Sequence, residues 1–490
     1  MLKKLALHVS NYSSASLLVM ISGLVSFPIF TRIFTVEEYG VLSLISATLA
    51  LVMGIAKLGV QHSIVRFYGE IKAEKGAAGL STYRSTTFFG MMTVATIVAV
   101  IWAIVSQLIP SSWWNDRQVA GLLLLTSVLL IVRSVDSCLT NFLRAEERSG
   151  LLGIYRVASR YLGLAVVLFT LFYVARDLRG FYGATIIIEA STVILLFVFL
   201  SRGRRYSPRD FSPNLFWRML VFGVPMIGFE LAGTTLHIGD RYVIQTMLGS
   251  TPLGIYSVAF TFCEFVQVIF LSSIGQAIMP MYVRSWEENG EEATRRFLRQ
   301  ALHFYTMLAL PVVAGLSAMG GDVLVFLASE KYRESAAVIP YIVAGMAIDS
   351  IVIIVGAGLF IHKQTWIIAG LVAACAVFNI VLNILMVPRL GILGSAVATL
   401  ISYLALALCM LWVSAQRMPI SFPWASTVKF GGLSAVMYVI VIQLPAGNDA
   451  VTVVSRIVTG ALLYLAMVAA FDKQARAALR VGVTWCRSRM

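Results

Sequence analysis

Apolar stretches of about 20 residues recur along the whole chain, separated by short polar breaks. Each stretch has the length of a helix that crosses the ~30 Å hydrocarbon core of a bilayer, because an α-helix rises about 1.5 Å per residue. Of the 490 residues, 59% are apolar and only 13% are charged. A water-soluble fold could not cover so much apolar surface. The sequence therefore predicts an all-α polytopic membrane protein and excludes soluble enzymes and secreted proteins.

The polar breaks divide the chain into about 14 predicted transmembrane helices. The predicted spans are 10–32, 40–62, 86–108, 119–143, 151–174, 180–200, 216–237, 251–281, 301–326, 337–360, 365–387, 391–413, 428–444 and 451–471. The breaks, such as the charged segment Arg144–Arg148, are too short to form a soluble domain.

The basic residues indicate how the chain is oriented in the membrane. The sequence has 38 Lys+Arg against 24 Asp+Glu, a formal net charge of +14. With the N-terminus inside, about two thirds of the basic residues fall on the cytoplasmic side, as the positive-inside rule requires. Both termini are therefore predicted to be cytoplasmic, and the net charge needs no nucleic-acid partner.

The sequence has no pattern typical of a cofactor or catalytic site. Its five cysteines are scattered without CxxC spacing, and the five histidines show no spacing of metal ligands. Walker A, HExxH, GxSxG and Rossmann GxGxxG motifs are absent from the sequence. We expect no metal, no cofactor and no enzymatic activity. Any energy source would be an ion gradient, the membrane potential or the substrate gradient.

Two pairs of similar segments indicate an internal repeat. Glu37–Ser43 begins the second span and Thr251–Ser257 begins the eighth, 214 residues later. Gly180–Ala184 and Gly391–Ser395, 211 residues apart, begin the sixth and twelfth spans. Repeats of this kind are common in transporters. The predicted organisation is an N-lobe of six spans (1–200), a basic cytoplasmic linker (201–213), a C-lobe of six spans (214–413), two further spans (414–471) and a basic cytoplasmic tail (472–490).

The same segments resemble a known family. Residues 237–244 read HIGDRYVI and residues 248–258 read LGSTPLGIYSV, while the first lobe has FTVEEYG at 34–40 and LGVQHSIVRFY at 58–68. These motifs are similar to those of polysaccharide transporters, the Wzx-type lipid-linked oligosaccharide (O-antigen) flippases of the multidrug/oligosaccharidyl-lipid/polysaccharide superfamily. The residues taken as structural parts of the family motif are Glu38, Tyr39, Gly40, Asp240, Arg241, Gly254 and Tyr256. Asp240 and Arg241 are expected to form a cap or an ion pair at a helix end.

The resemblance covers essentially the whole chain and implies both a fold and a function. It implies a V-shaped, alternating-access arrangement of two lobes in the bacterial inner membrane. The implied substrate is an undecaprenyl-diphosphate-linked glycan, such as an O-antigen or exopolysaccharide repeat unit. A glycan polymerase or glycosyltransferases are the implied protein partners.

Ionisable residues inside the predicted spans are costly in lipid and are therefore candidates for function. The basic residues Lys57, Arg133, Arg156 and Arg160 all lie in the first lobe and are predicted to bind the substrate. Two like charges at i, i+4, as in Arg156 and Arg160, disfavour a helix unless an anion lies between them. A diphosphate would satisfy both. The acidic candidates for coupling to H+ or Na+ are Asp136, Glu189, Glu230, Glu264 and Asp349.

Several alternatives remain open from the sequence. Arg133 could be neutralised by Asp136 at i+3, and Lys57 and Arg156 could extend to the lipid headgroups. Arg456 is expected to be a headgroup anchor. The predicted function is a flippase; the alternatives are a drug or organic-cation antiporter of the same superfamily and a non-transporting scaffold of a glycan-synthesis complex.

Overall fold

A computed structural model describes residues 2–114 and 116–476. Within these residues the chain forms sixteen α-helices and no β-strand, with a π-helical turn at Gln267–Ser272 and 3-10 helices at Pro208–Asp210 and Glu330–Ala337. The helices are α1 (Leu2–Ile33), α2 (Val36–Ala56), α3 (Val60–Leu108), α4 (Ser111–Trp114), α5 (Arg117–Ala145), α6 (Ser149–Tyr173), α7 (Leu178–Ser201), α8 (Pro213–Leu248), α9 (Ser250–Val266), α10 (Ser273–Leu327), α11 (Ile339–Val355), α12 (Ala357–Ile361), α13 (Thr365–Leu390), α14 (Ile392–Ala415), α15 (Trp424–Gln443) and α16 (Ala450–Phe471).

The helices confirm the predicted class of polytopic membrane protein. Twelve helical segments of the described chain are long and apolar enough to cross a membrane, or thirteen when a bent pair of helices around residue 338 counts as one span. The segment Ser250–Leu327 contains two predicted spans, 251–281 and 301–326, on either side of Gly290, whose backbone is not helical. Each predicted span therefore has a helical counterpart.

The chain divides into two compact units, Met1–Gly254 and Ile255–Met490. In the first unit, α3 packs against α5 and α8, α1 packs against α6, and α2 packs against α5 and α8. Its core is formed by buried apolar side chains of α3, α5, α6, α7 and α8, including Phe67, Tyr83, Phe142, Leu196 and Met219. Helix α8 is thus part of the first unit, and the lobe boundaries from the sequence repeat stay a prediction.

The predicted linker between the lobes lies against the rest of the first unit. The backbone N–H of Ser212 donates to Thr86 Oγ1 of α3 at 2.9 Å. Arg204 donates two 2.8 Å hydrogen bonds to Glu146, which also accepts one from Arg84. Because Glu146 is largely buried, these charge-assisted hydrogen bonds fix the linker in place.

Interruptions of the helices support the internal repeat. Gly76 inside α3 and Gly290 inside α10 both have positive φ angles, 57° and 77°, and they lie 214 residues apart. Only glycine adopts such a conformation without strain. Helices α2 and α9 begin 214 residues apart, and so do α7 and α14. The two halves of the chain therefore place the same breaks at the same positions.

Two glycines of the family motif lie where α2 and residues 250–254, both in the first unit, touch through their backbones. A Cβ atom on Gly40 would lie 2.0 Å from the carbonyl oxygen of Ser250, and one on Gly254 would lie 1.9 Å from that of Val36. Val36 and Ser250 are themselves repeat counterparts, as are Gly40 and Gly254. The contact between residues 36–40 and residues 250–254 is thus pseudo-symmetric, of the kind that small residues allow in membranes.

We expect Gly40→Ala to destabilise the protein by about 1–3 kcal/mol, because the added methyl group overlaps backbone atoms that cannot rotate away. Thermal unfolding of purified protein in detergent measures the effect. The control is Gly121→Ala in α5, where an added Cβ would meet nothing within 4 Å. If Gly40→Ala unfolds at the same temperature as Gly121→Ala, the close contact does not exist.

In the second unit, the last two helices are fixed to α10 by buried ionic contacts. Near the start of α16, the side chain of Arg456 is only 4% exposed, pairs with Asp322 of α10 and donates to the carbonyl oxygen of Val441. The expectation that Arg456 anchors to headgroups is therefore wrong. At the other end of α16, Asp472 pairs with Lys429. Its carboxylate also lies 3.5 Å from the imidazole of His303 on α10.

Burial raises the pKa of the Asp472 carboxyl, but hydrogen bonds from Lys429 and from the Ala475 N–H outweigh it and hold the pKa below its usual range. Since the folded-state pKa lies below that of the unfolded chain, the ionised carboxyl stabilises the fold above about pH 4, and this contribution is lost as the pH falls through the folded-state pKa.

We expect Asp472→Asn to lower the unfolding temperature at neutral pH, because it leaves the partly exposed Lys429 without its counter-ion, at a cost of about 1–3 kcal/mol. The difference from the wild type should shrink below about pH 4. Thermal unfolding across pH measures both. Glu330→Gln, which removes an exposed pair with Arg333, is the control and should change little. A difference that does not depend on pH would contradict the assignment.

Candidate functional site

The first unit contains a cavity of about 1060 Å³, lined by α1, α2, α5, α6 and α7 and by the start of α3. All four basic residues that were predicted from the sequence line it. The charged side chains of the lining are Lys57, Arg133, Arg144, Arg156, Arg160, Asp136 and Glu189. With five basic groups against two acidic ones, the cavity is electropositive. The structure thus brings the predicted residues together, and their role in binding stays a prediction.

A polar stripe along α5 forms one wall of the cavity. Its members recur every three or four residues, so they share one face of the helix: Arg133, Asp136, Ser137, Thr140, Asn141 and Arg144. From Arg133 to Arg144 the stripe rises roughly 16 Å. Sequence reasoning missed Arg144 because it placed this residue in a polar break, whereas α5 continues to Ala145. The spacing of the stripe is the signal that could have included it.

Arg133 forms the central ion pair of the cavity. Its Nε and Nη2 atoms each donate a 2.8 Å hydrogen bond, to Glu189 Oε2 and Oε1 of α7. Asp136, the alternative partner on the same helix, instead accepts a 2.5 Å hydrogen bond from the Tyr155 hydroxyl of α6. The structure therefore favours a pair between helices over the pair within α5. Its two side chains are 37% and 32% exposed, so a ligand in the cavity can reach them.

The other basic groups of the cavity keep most of their donors available. Arg160 donates one hydrogen bond, from Nε to Ser22 Oγ at 3.1 Å. Neither Lys57 nor Arg156 forms an ion pair within residues 2–114 and 116–476. The guanidinium groups at positions 156 and 160 are one helical turn apart on α6. An arginine fork matches the oxygens of a phosphate, so this face of α6 suits an anion.

The remaining acidic candidates lie outside the cavity lining. Glu230 of α8 accepts a 2.9 Å hydrogen bond from Gln61, and its carboxylate lies 3.5 Å from the imidazole of His62. Gln61 and His62 both line the cavity, and Glu230 contacts them from outside the lining. In the second unit, Asp349 accepts a 3.2 Å hydrogen bond from Gln267 of the π-helical turn. Glu264 lies in the same unit, on α9. Their part in ion coupling stays a prediction.

The family-motif residues have structural positions. Glu38 and Thr35 cap the start of α2 with reciprocal hydrogen bonds between each side chain and the other's backbone N–H. The side chains of Tyr39 and Tyr256 are buried.

The expectation that Asp240 and Arg241 lie at a helix end is wrong, because α8 continues to Leu248. Both residues are buried there, and Arg241 Nε donates to Ser43 Oγ of α2 at 3.1 Å. A polar partner on the neighbouring helix lets α8 continue through two charged residues.

The profile of a family described as "Polysaccharide biosynthesis protein" matches residues 29–337. The chain belongs to this family. The match spans both repeats of the motif from which the resemblance to polysaccharide transporters was inferred, and it confirms that resemblance.

Two relatives and one solved structure show how far the similarity extends. The chain is 25% identical over 239 residues to "Probable flippase AglR" of Haloferax volcanii, covering 46% of this chain and 48% of that protein. It is 28% identical over 198 residues to "Probable multidrug resistance protein NorM" of Agrobacterium fabrum, covering 37% and 40%. The matched segments thus span less than half of either relative. "Lipid II flippase MurJ, inward closed conformation" superposes with a TM-score of 0.79 at 16% identity, covering 94% of this chain and 99% of that one, which shows a shared fold.

The positive charge of the cavity predicts how fast a cysteine placed in its lining reacts with charged thiol reagents. In a variant without the five native cysteines, Ser159→Cys should react faster with an anionic methanethiosulfonate than with a cationic one. A local potential of one to two kT per unit charge raises the anionic rate and lowers the cationic rate, each by roughly threefold to sevenfold. The control is Ile187→Cys, which is 66% exposed but lies outside the cavity lining and should react slowly with both. Equal rates at position 159 would contradict an electropositive cavity.

Proposed function

We propose that this protein is a flippase for a lipid-linked glycan, a polyprenyl-diphosphate oligosaccharide such as an O-antigen or exopolysaccharide repeat unit. The observation that carries the proposal is the cavity of the first unit, whose lining holds five basic and two acidic side chains. Such a cavity attracts a diphosphate and disfavours organic cations. Membership of the polysaccharide biosynthesis family supports the same substrate class.

Each part of the substrate has a suitable environment. In this proposal the diphosphate binds the donors of Arg156 and Arg160, and Lys57 and Arg144 lie at the end of the cavity that the predicted topology turns to the cytoplasm, which serves as its mouth. The volume of about 1060 Å³ is at the upper end of small-molecule pockets and leaves room for sugars beside the phosphates. The polyprenyl tail stays in the bilayer, where it costs nothing to solvate. Alternating access of the two predicted lobes then moves the polar head across.

The predicted orientation makes this arrangement useful. With both termini cytoplasmic in a bacterial inner membrane, the end of the cavity with Arg144 faces the cytoplasm, where activated sugars are assembled onto lipid carriers. Basic residues along α5 and α6 then continue from this mouth toward mid-membrane. The glycan is released on the periplasmic side, where a polymerase or transferase takes it up.

The two rival functions make different demands on the same residues. A drug antiporter, the function that the name of the NorM relative suggests, would need a cavity that attracts organic cations. The surplus of basic residues argues against that use. A scaffold of a glycan-synthesis complex would need no cavity, and its charges would serve structure alone.

We expect Arg160→Ala and Arg133→Ala to lower the initial rate of glycan translocation roughly 10- to 100-fold, the loss of one charge-assisted hydrogen bond to phosphate. The assay uses proteoliposomes with a fluorescent polyprenyl-diphosphate oligosaccharide and a membrane-impermeant quencher. Arg179→Ala, an exposed arginine outside the cavity lining, is the matched control and should keep the wild-type rate.

The outcomes separate the rivals. If Arg160→Ala translocates as fast as Arg179→Ala, the cavity does not bind the diphosphate. If the wild-type protein translocates no such glycan but exchanges a lipophilic cation for protons, it is an antiporter. If it transports neither, the scaffold reading replaces the flippase.

A further inference from the structure

The ion pair between Arg133 and Glu189 has the geometry of a bound substrate mimic. Arg133 presents its fork to two carboxylate oxygens at 2.8 Å each, which is also how a guanidinium binds two phosphate oxygens. Within the described chain, the Glu189 carboxylate forms hydrogen bonds to no other residue. The Glu189 carboxylate is therefore held by Arg133 alone, inside the cavity where an anionic ligand must bind.

The pair is also accessible and electrically connected to the neighbouring cations. About a third of each side chain is exposed to the cavity. Arg160 lies within electrostatic range of both Arg133 and Glu189. A diphosphate bound to Arg160 therefore approaches an arginine whose donors are already occupied by a carboxylate.

We propose that Glu189 is a built-in competitor of the substrate: it occupies the Arg133 fork in the empty cavity, is displaced by the diphosphate of the lipid-linked glycan, and returns to Arg133 when the diphosphate leaves. This inference rests on the proposed function. The carboxylate gives Arg133 a partner in the membrane when no substrate is present, which avoids an unpaired charge. It also weakens substrate binding, and a carrier must release its substrate to turn over.

Asp136 does not share this role, although it carries the same charge in the same lining. Its carboxylate is held by the Tyr155 hydroxyl at 2.5 Å and does not occupy an arginine fork. Displacing it would free no donor for a phosphate. Glu189 therefore competes for Arg133, whereas Asp136 has the same charge and does not compete, so Asp136 is a matched control.

The first test measures binding of farnesyl diphosphate, a short prenyl diphosphate, to the full-length purified protein by calorimetry. Glu189→Gln should bind the probe roughly twofold to fivefold more tightly than the wild type, the range for removing a partly exposed ion pair. Asp136→Asn removes the same charge without freeing Arg133 and should tighten binding less. Equal tightening in both variants would overturn the proposal, because the general field of the cavity would then explain it.

A double-mutant cycle locates the effect. In an Arg133→Ala background, Glu189→Gln should tighten binding no more than Asp136→Asn does, because no fork remains to be freed and only the field of the cavity changes. If Glu189→Gln keeps its full excess over Asp136→Asn without Arg133, the competition does not act through this pair. Glu189→Asp, whose shorter side chain cannot keep both hydrogen bonds, should give an intermediate affinity and serves where Glu189→Gln folds poorly.

Turnover supplies an independent readout. In proteoliposomes, Glu189→Gln should lower KM and lower the maximal rate together, because substrate that binds more tightly leaves more slowly. A purely structural role would lower the rate without lowering KM, and that result would overturn the proposal. If the wild-type protein itself binds no prenyl diphosphate, the proposed function fails and the inference falls with it. If the wild-type protein binds the probe and Glu189→Gln binds it with the same affinity, the competition by Glu189 is rejected while the proposed function stands.

Discussion

An ionisable side chain inside a bilayer needs either an opposite charge or water, and this requirement organises the whole chain. Most side chains of the helices are apolar and need no polar partner in lipid. Each charged group within a helix therefore has to be accounted for by its own partner or by water. In the first unit the charged groups meet along stripes of α5, α6 and α7 and enclose a cavity. The stripes are helical in period, so the same spacing that forms the helix also collects its polar side chains on one face.

Close packing of the helices depends on a different property, the lack of a side chain at particular glycines. In the first unit, residues 36–40 and 250–254 touch through Gly40 and Gly254, and the break between α2 and α3 touches α8 through Gly59 and Gly223. In lipid there is little hydrophobic gain from helix association, so van der Waals contact and interhelical hydrogen bonds carry it. Hydrogen bonds such as that from Arg241 to Ser43 add to these contacts. The glycines and Arg241 of the family motif thus serve packing, and the charged residues of the cavity lie outside the motif.

The sequence predicted the number of spans, the repeat and the four basic residues of the cavity, because each leaves a signal within a few turns of one helix. The partners of those residues left none. Arg133 and Glu189 are 56 residues apart, and the sequence offered the nearer Asp136 instead. Arg456 looked like a surface anchor because its partner Asp322 is 134 residues away. Helix periodicity shows which face a residue shares, whereas tertiary packing decides which neighbouring helix that face meets.

Basic side chains that serve structure can be told from those available to a ligand by whether each has a carboxylate partner. In the second unit, the buried Arg456 and the half-buried Lys429 each pair with a carboxylate of another segment, and no charge is left over in either pair. In the cavity of the first unit the balance is different, since five basic side chains share two carboxylates and one of these is held by a tyrosine. A fold that needed these charges only for stability would neutralise them as it does in the second unit. This surplus of positive charge supports the proposal that an anion enters the cavity from outside, and that the Glu189 carboxylate holds Arg133 until it does.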